Sequence, residues 1–275
     1  MNFVLIGAGY VAPRHVKAIK ETGNQLLAFT DPYDGVGWMD QYFPEARYFP
    51  EFERFDRYCH KQRGAIHYVS ICSPNYLHDS HARWAMNLGA NAIVEKPLVL
   101  TERNLDGLAY MEEKTNRRVY TILQLRLHPK IIDVALYDSL HIARVQYSTP
   151  RGKWYSYSWK SDVTKSGGLA TNIGVHLFDL CAYFFGAYRD ILINTNAPDT
   201  VSGWVVFKRA DVEFALSING NSTQRLFEID HKKIELSSGF ENLHTKSYQE
   251  ILSGNGFGIE HARESIRICQ KIREL

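Results

Sequence analysis

Four cysteines in 275 residues, Cys59, Cys72, Cys181 and Cys269, lie far apart and nowhere show the paired spacing of a metal site. They read as buried free thiols of a reducing compartment, and no metal is expected. An excess of one charge is missing too. The 32 Lys and Arg residues against 30 Asp and Glu leave a formal net charge of +2. That balance excludes a chain-wide nucleic-acid or membrane surface, although local cations could hold a small anion. The first apolar run, Phe3-Val4-Leu5-Ile6, is far too short to span a bilayer. Starting so close to Met1, it leaves no room for a charged leader and cleavage site. Internal repeats, low-complexity tracts and a disordered tail are also lacking, so a cytoplasmic globular protein is expected. What is present in quantity is core material: 45% hydrophobic and 13% aromatic residues, on a length suited to two domains.

The pattern along the chain changes once. Phe3–Ile6, Leu26–Thr30, Tyr68–Cys72, Ala92–Val94 and Val119–Leu123 read as short buried strands separated by helical periodicity. Such alternation predicts a doubly wound α/β parallel sheet over residues 1–122. From residue 123 to 275 an α+β domain is expected. Strand-like segments at Ile142–Ser148, Ile191–Asn196, Ser202–Lys208, Glu213–Asn219, Leu226–Asp230 and Lys233–Leu236 follow one another, implying a mainly antiparallel open sheet. A helix over Gly168–Phe185 should pack on one face, and helical patterns over Glu241–Leu252 and Ile259–Ile272 close the chain.

Gly7-Ala8-Gly9-Tyr10-Val11-Ala12 follows a strand and opens a helix, the context in which a glycine pattern binds a dinucleotide. Gly7 allows the tight turn, and Gly9 lets the backbone approach a pyrophosphate at the helix N-terminus. Asp31 comes 22 residues after Gly9, at the end of the second strand. A carboxylate there accepts both ribose hydroxyls and repels a 2′-phosphate, favouring NAD over NADP.

Cys72-Ser73-Pro74-Asn75-Tyr76-Leu77-His78 and Glu95-Lys96-Pro97 end two further strands at the sheet's carboxyl edge, where such sheets bind ligands. Asn75 and His78 offer polar groups to a cofactor, or cap the next helix. Lys96 can stabilise a developing alkoxide, or merely pair with Glu95 at a surface. Further on, Gly167-Gly168 lead into a helix on which Asn172, His176 and Asp179 recur three and four residues apart. That spacing places them on one face, able to point into a common cleft. His176 is either an acid–base group or a buried structural histidine.

Together these segments resemble the Gfo/Idh/MocA oxidoreductase family. The pieces that match are Gly7-Ala-Gly9, Cys72 to His78, Glu95-Lys96-Pro97 and Gly167-Gly168 through Gly174-Val-His176-Leu-Phe-Asp179. The resemblance implies catalytic positions at Lys96 and His176, and oligomer contacts, as homodimer or homotetramer, through the open sheet face of the second domain. That family usually has an aspartate where this chain has Asn172, which leaves His176 as the better acid–base candidate. Gln124-Leu-Arg126-Leu-His-Pro, Arg151-Gly-Lys-Trp154-Tyr, Ser158-Trp-Lys160 and Thr171-Asn172 look like one branch, the WlbA/WbpB-type UDP-N-acetylglucosaminuronate 3-dehydrogenases of bacterial surface-polysaccharide (O-antigen) synthesis. Against that branch the chain looks short, chiefly after about Leu236.

On this reading NAD would contact Gly7, Gly9, Tyr10, Val11, Asp31, Cys72, Ser73, Pro74, Asn75, His78, Glu95, Lys96 and Gln124. A UDP-sugar, with its diphosphate and carboxylate, needs cationic and amide donors. The residues expected to meet it are Lys96, Arg126, Arg151, Lys165, Thr171, Asn172 and His176, with Lys153 and Lys160 nearby and an aromatic cluster at Trp154, Tyr155, Tyr157 and Trp159. His176 would take the C3 hydroxyl proton as the hydride leaves, with Lys96 polarising the same oxygen; the two roles are interchangeable at this level. A 2-oxo acid is a conceivable second substrate. The competing readings are an NAD(P)-dependent dehydrogenase of another sugar nucleotide, a free sugar or a polyol, and a non-catalytic NAD-binding regulator.

Overall fold

The computed structural model of the chain describes residues 1–236 and 238–275. They form two compact units: 1–99, 103–124 and 242–261 make the first, and 100–102, 125–241 and 262–275 the second. This departs from a single cut after residue 122, because 242–261 returns to the first unit. There α9 (Leu243–Leu252) lies along α1 (Ala12–Glu21). Hydrogen bonds from Lys17 to Asn242 and from Thr245 to Glu21 join the two helices. The ring of Tyr248, fully buried, stacks on Phe3 with centroids 5.9 Å apart. Further along the segment, the Phe257 carbonyl accepts the Thr121 amide at 2.8 Å.

The first sheet is wholly parallel. Its order is β3 (Arg47–Phe49), β2 (Gln25–Thr30), β1 (Asn2–Ile6), β4 (Tyr68–Ile71), β5 (Asn91–Val94), β6 (Val119–Thr121). β1 and β4 are apolar almost throughout and buried from end to end past Asn2, as strands covered on both faces must be. The three-residue edge strand β3 has no counterpart in the sequence reading; three residues are too few to show a period. The remaining helices are α2 (Phe52–Lys61), α3 (His78–Leu88) and α4 (Glu102–Thr115), of which α4 starts in the second unit's share of the chain. In α1, Ala12, His15, Val16, Ala18 and Ile19 turn one stripe to the core, and Pro13 sits in the first turn where its missing N–H costs nothing.

The second sheet has the order β12 (Lys232–Lys233), β11 (Gln224–Ile229), β7 (His141–Ser148), β10 (Ala210–Ser217), β9 (Thr200–Phe207), β8 (Tyr188–Asn196). All its pairings are antiparallel except β7 with β10, so the expected mainly antiparallel sheet is present. β9 and β10 alternate buried and half-buried residues along their whole length, the sign of a sheet covered on one face. The covering element is α8 (Val175–Phe185), whose Phe178, Phe184 and Phe185 meet Phe214, Phe227 and Phe207. Short helices α5 (Pro129–Ile132), α6 (Trp154–Tyr157) and α7 (Val163–Ser166) precede it, and α10 (Ile259–Glu274) follows. The helical run Val163–Phe185 is long and apolar enough to cross a membrane by composition, yet 72% of that window is buried, which marks a core helix.

Within this core Asp179 on α8 faces Arg126, with Arg126 Nε to Oδ2 at 3.0 Å and Nη2 to Oδ1 at 2.7 Å. Their side chains are 2% and 8% exposed. Burial pushes the Asp179 carboxyl up despite the guanidinium beside it, so desolvation outweighs the Coulombic gain. Removing one partner is therefore worse than removing both. Asp179→Ala is expected to lower unfolding free energy by about 3–5 kcal/mol, whereas Asp179→Leu with Arg126→Met should recover most of it, measured by urea denaturation.

Three histidines of the first unit, His15, His78 and His81, are held below their ordinary pKa by burial, His81 to about 4. Unfolding frees them to bind protons near 6.5, so the unfolded chain takes up more protons between about pH 4 and 6.5. Stability supplied by neutral burial is thus complete above 6.5 and falls as pH drops through that window. His81 alone carries up to about 3 kcal/mol of this. Unfolding free energy measured from pH 7 to 4.5 should fall steadily, and His81→Gln should flatten the slope; a pH-independent wild type would contradict the assignment.

Candidate active site

The carboxyl edge of the parallel sheet gathers the glycine turn and the ends of β2, β4, β5 and β6. Gly7 has φ +88, and a Cβ there would stand 2.7 Å from the Cys72 carbonyl carbon and 2.8 Å from the Ser73 nitrogen. Only glycine lets the exits of β1 and β4 close on each other. Gly9 differs: a Cβ there meets no protein atom within 4 Å, so packing within the chain does not demand a glycine. Asp31 Oδ2 accepts the Ala8 amide at 2.6 Å and Oδ1 accepts that of Tyr33 at 2.9 Å. The acid expected at a ribose therefore also pins the glycine turn, with lone pairs left for hydroxyl donors. Tyr10 is 85% exposed, with Arg14 stacked over its ring, and Val11 is half-buried at the start of α1.

After β4, Cys72 is half-buried and its thiol is pushed well above the usual range, first by burial and then by Glu95. Ser73 shares a 2.9 Å hydrogen bond with His81, Pro74 is half-buried, and Asn75 opens a short turn with 6% exposure. His78 departs from the sequence expectation. It is 1% exposed, and its two ring nitrogens lie 2.7 Å from the Pro97 carbonyl and 2.8 Å from that of Ser73. A neutral imidazole there donates to one of the two carbonyls and is packed between the loops that carry them. Glu95 also turns inward: it is 6% exposed and accepts from His15 and His244, each at 3.0 Å. Lys96, beside it, is half-buried. At the end of β6, Gln124 Oε1 is buried with no hydrogen-bond partner among the described residues. An orphan acceptor after β6, the Asp31 carboxylate after β2 and a glycine turn between β1 and α1 make a set of polar groups that fits a dinucleotide.

In the second unit Gly167 and Gly168 both have positive φ, +82 and +81, turning the chain out of α7. Residues Ala170–Gly174 then wind as a π-turn, a local widening frequent at functional sites, before α8 begins. Thr171, expected at the substrate, is 1% exposed and donates its hydroxyl to the Gly167 carbonyl at 2.7 Å, which shapes the turn. From Leu169 to Cys181, only Asn172 and His176 rise above full burial. Asp179, expected on that same face, lies inside the core with Arg126; a carboxylate at that depth needs a cation. Two of the Arg126 donors are spent there, and its guanidinium also lies 5.0 Å from the Tyr183 ring centroid.

Asn172 Nδ2 donates to the buried Tyr155 hydroxyl at 3.0 Å. That anchors the 151–160 segment, where Arg151 and Lys160 stack over Trp154. Lys165 is exposed and paired with Asp162 at 3.6 Å, and Lys153 is exposed. The sequence reading did not single out His15, His244 or Tyr248. Single histidines and a tyrosine on apolar helix faces give no local sign of convergence.

Family profiles match along most of the chain. The oxidoreductase family profile for the NAD-binding Rossmann fold covers residues 1–123, and that for its C-terminal α/β domain covers residues 139–201. The WlbA (WbpB) dehydrogenase of Thermus thermophilus, solved with NAD and α-ketoglutarate, superposes with TM-score 0.97 at 43% identity, over 100% of this chain and 95% of that one. The shortfall expected after Leu236 is thus not seen against it. The same enzyme solved with NAD and UDP-GlcNAcA gives 0.96 and 42% over 100% and 95%. More distantly, oxidoreductase P35 of Formosa agariphila is 26% identical over 59% of this chain and 56% of its own. Glucose-6-phosphate 3-dehydrogenase of Bacillus subtilis is 26% identical over 66% and 53%. The chain spans about half the length of these curated relatives. With both profiles matched, and a relative 43% identical over 100% of this chain, the chain belongs to the Gfo/Idh/MocA oxidoreductase family.

Proposed function

We propose that this chain is an NAD-dependent UDP-N-acetylglucosaminuronate 3-dehydrogenase, oxidising the C3 hydroxyl to a ketone. The observation that carries this reading is the end-to-end likeness to a dehydrogenase solved with NAD and with UDP-GlcNAcA. Lys96 at the sheet edge and His176, which with Asn172 is half-buried on an otherwise buried helical stretch, support it. A binding-only regulator requires neither.

The Gly7–Gly9 turn, Asp31 and Gln124 would hold NAD, which would supply the hydride acceptor. The orphan Gln124 Oε1 suits an amide donor of that cofactor. The His176 imidazole takes the C3 hydroxyl proton as the hydride departs, and an imidazole near neutral pH can return it in the reverse direction. The Lys96 ammonium donates to the same oxygen and stabilises its developing charge. Arg151 and Lys160, both over the indole of Trp154, supply cations to the diphosphate or the carboxylate. The 3-keto product would feed an aminotransferase of surface-polysaccharide synthesis in the cytoplasm. A 2-oxo acid, of the kind seen in the Thermus enzyme, would reoxidise the reduced cofactor. The outer face of the second sheet, with Ile142 60% and Leu192 56% exposed, is the surface we assign to self-association.

Single-turnover mixing of enzyme and NAD⁺ with UDP-GlcNAcA should give reduced nicotinamide and a product two mass units lighter. UDP-GlcNAc should give little. Equal signal from both would mean a broader sugar-nucleotide oxidase, and signal from neither would sink the substrate assignment. His176→Asn and Lys96→Met should each slow hydride transfer by about 10²- to 10⁴-fold. Near-normal rates in both would refute the proposed roles. Asp31→Ala should weaken NAD⁺ binding about tenfold or more and narrow the preference over NADP⁺, read as the two dissociation constants.

A further inference from the structure

Behind the sheet edge of the first unit lies a closed chain of buried polar groups that the catalytic scheme does not use. Ser70 Oγ is 2.6 Å from the Tyr248 hydroxyl, and that hydroxyl is 2.9 Å from His15 Nδ1. His15 Nε2 and His244 Nε2 each lie 3.0 Å from the same Glu95 oxygen, Oε1. The other oxygen, Oε2, accepts the backbone N–H of Lys96 at 3.1 Å. Ser70, His15 and Tyr248 are fully buried, Glu95 is 6% exposed and His244 8%.

The donors and acceptors balance in one arrangement. Ser70 donates to Tyr248, Tyr248 to His15 Nδ1, and a neutral His15 carries its proton on Nε2 toward Glu95. Burial alone would raise the Glu95 carboxyl; the hydrogen bonds from His15 and His244 outweigh it and hold the group well below the usual range. Burial keeps His15 below its ordinary value and Tyr248 well above. Glu95 therefore stays ionised, and it is the side chain that grips the Lys96 backbone. His15, His244 and Glu95 also satisfy the spacing of a three-ligand metal site. The Ser70 and Tyr248 hydroxyls, both His15 ring nitrogens, both Glu95 oxygens and His244 Nε2 are already paired without an ion.

We propose that His15, Glu95 and His244 act as positioning residues for Lys96. The two imidazoles lock one Glu95 oxygen so that the other fixes the lysine backbone, and with it the origin of the lysine side chain. His78, bonded to the Pro97 carbonyl, holds the following residue from the other side. The inference rests on the catalytic reading of Lys96. It gives α9 a purpose: the C-terminal segment returns to the first unit and delivers His244. A misplacement of the order of 1 Å at a reacting group costs about 10²-fold in rate, so a fixed backbone matters at this position.

The test is a double-mutant cycle read by single-turnover hydride transfer at saturating NAD⁺ and UDP-sugar, with NAD⁺ affinity and metal content measured in parallel. His244→Ala should slow transfer about tenfold or more while NAD⁺ affinity changes less than about twofold. His244→Gln, whose amide can donate to the same oxygen, should return the rate to within about threefold. In the Lys96→Met background His244→Ala should add less than about twofold, because the effect runs through the lysine. A wild-type rate in His244→Ala would overturn the proposal. So would an undiminished loss in the Lys96→Met background, or a matching loss of NAD⁺ affinity. One equivalent of bound metal that disappears with His244→Ala would also overturn it, making the imidazoles ligands. Slow Lys96→Met with normal His244→Ala sinks only this inference; normal Lys96→Met sinks the catalytic reading as well.

Discussion

No side chain fits between the end of β1 and the end of β4. The carbonyl of Cys72 and the nitrogen of Ser73 occupy the space that a Cβ on Gly7 would need. This contact brings two segments some sixty residues apart to one sheet edge. Asp31 then ties the turn to β2 through the Ala8 amide, and His78 ties the exit of β4 to that of β5 through Pro97. The segments we assign to the dinucleotide are thus hydrogen-bonded to each other before any ligand contributes. Preorganisation of this kind lets binding energy go to orientation and not to ordering loops.

Each unit also carries a buried carboxylate, and the two are solved differently. Asp179 meets a guanidinium in bidentate geometry, yet burial still leaves its carboxyl raised. Glu95 is held ionised by two imidazole N–H groups on one oxygen and a backbone N–H on the other. The first arrangement closes a gap in an apolar core. The second delivers a fixed charge to the residue before the proposed catalytic lysine. Buried charge is costly in both places, and only in the second does it lie directly behind residues assigned to chemistry.

The sequence showed the architecture well where periodicity is long. The parallel strands, the change to a strand-rich second half and the α8 core helix all follow from apolar runs of helical or alternating spacing. It failed at β3, three residues long, and at the final strand, which closes at Lys232–Lys233 and not at Lys233–Leu236. Among the site residues, Gly7 and Asp31 were legible because their reason is local: a turn, and a strand end at a set distance. His78, Thr171 and Asp179, expected at the cofactor, the substrate and a common cleft in turn, are each 1% exposed. A polar residue next to a motif looks the same in sequence whether it faces outward or braces the loop from behind.

Residue order by itself determined the family, the two-layer plan and the spacing of Asn172 and His176, because these depend on patterns within one segment. Only the tertiary structure decided that residues 242–261 rejoin the first unit, and that His15, Glu95, His244 and Tyr248 close into one network. It likewise decided that Arg126 serves Asp179 in the core. Those pairings join residues from 53 to 233 positions apart. Which distant donor meets a buried acceptor is set by the packing of whole elements, and no local period encodes it.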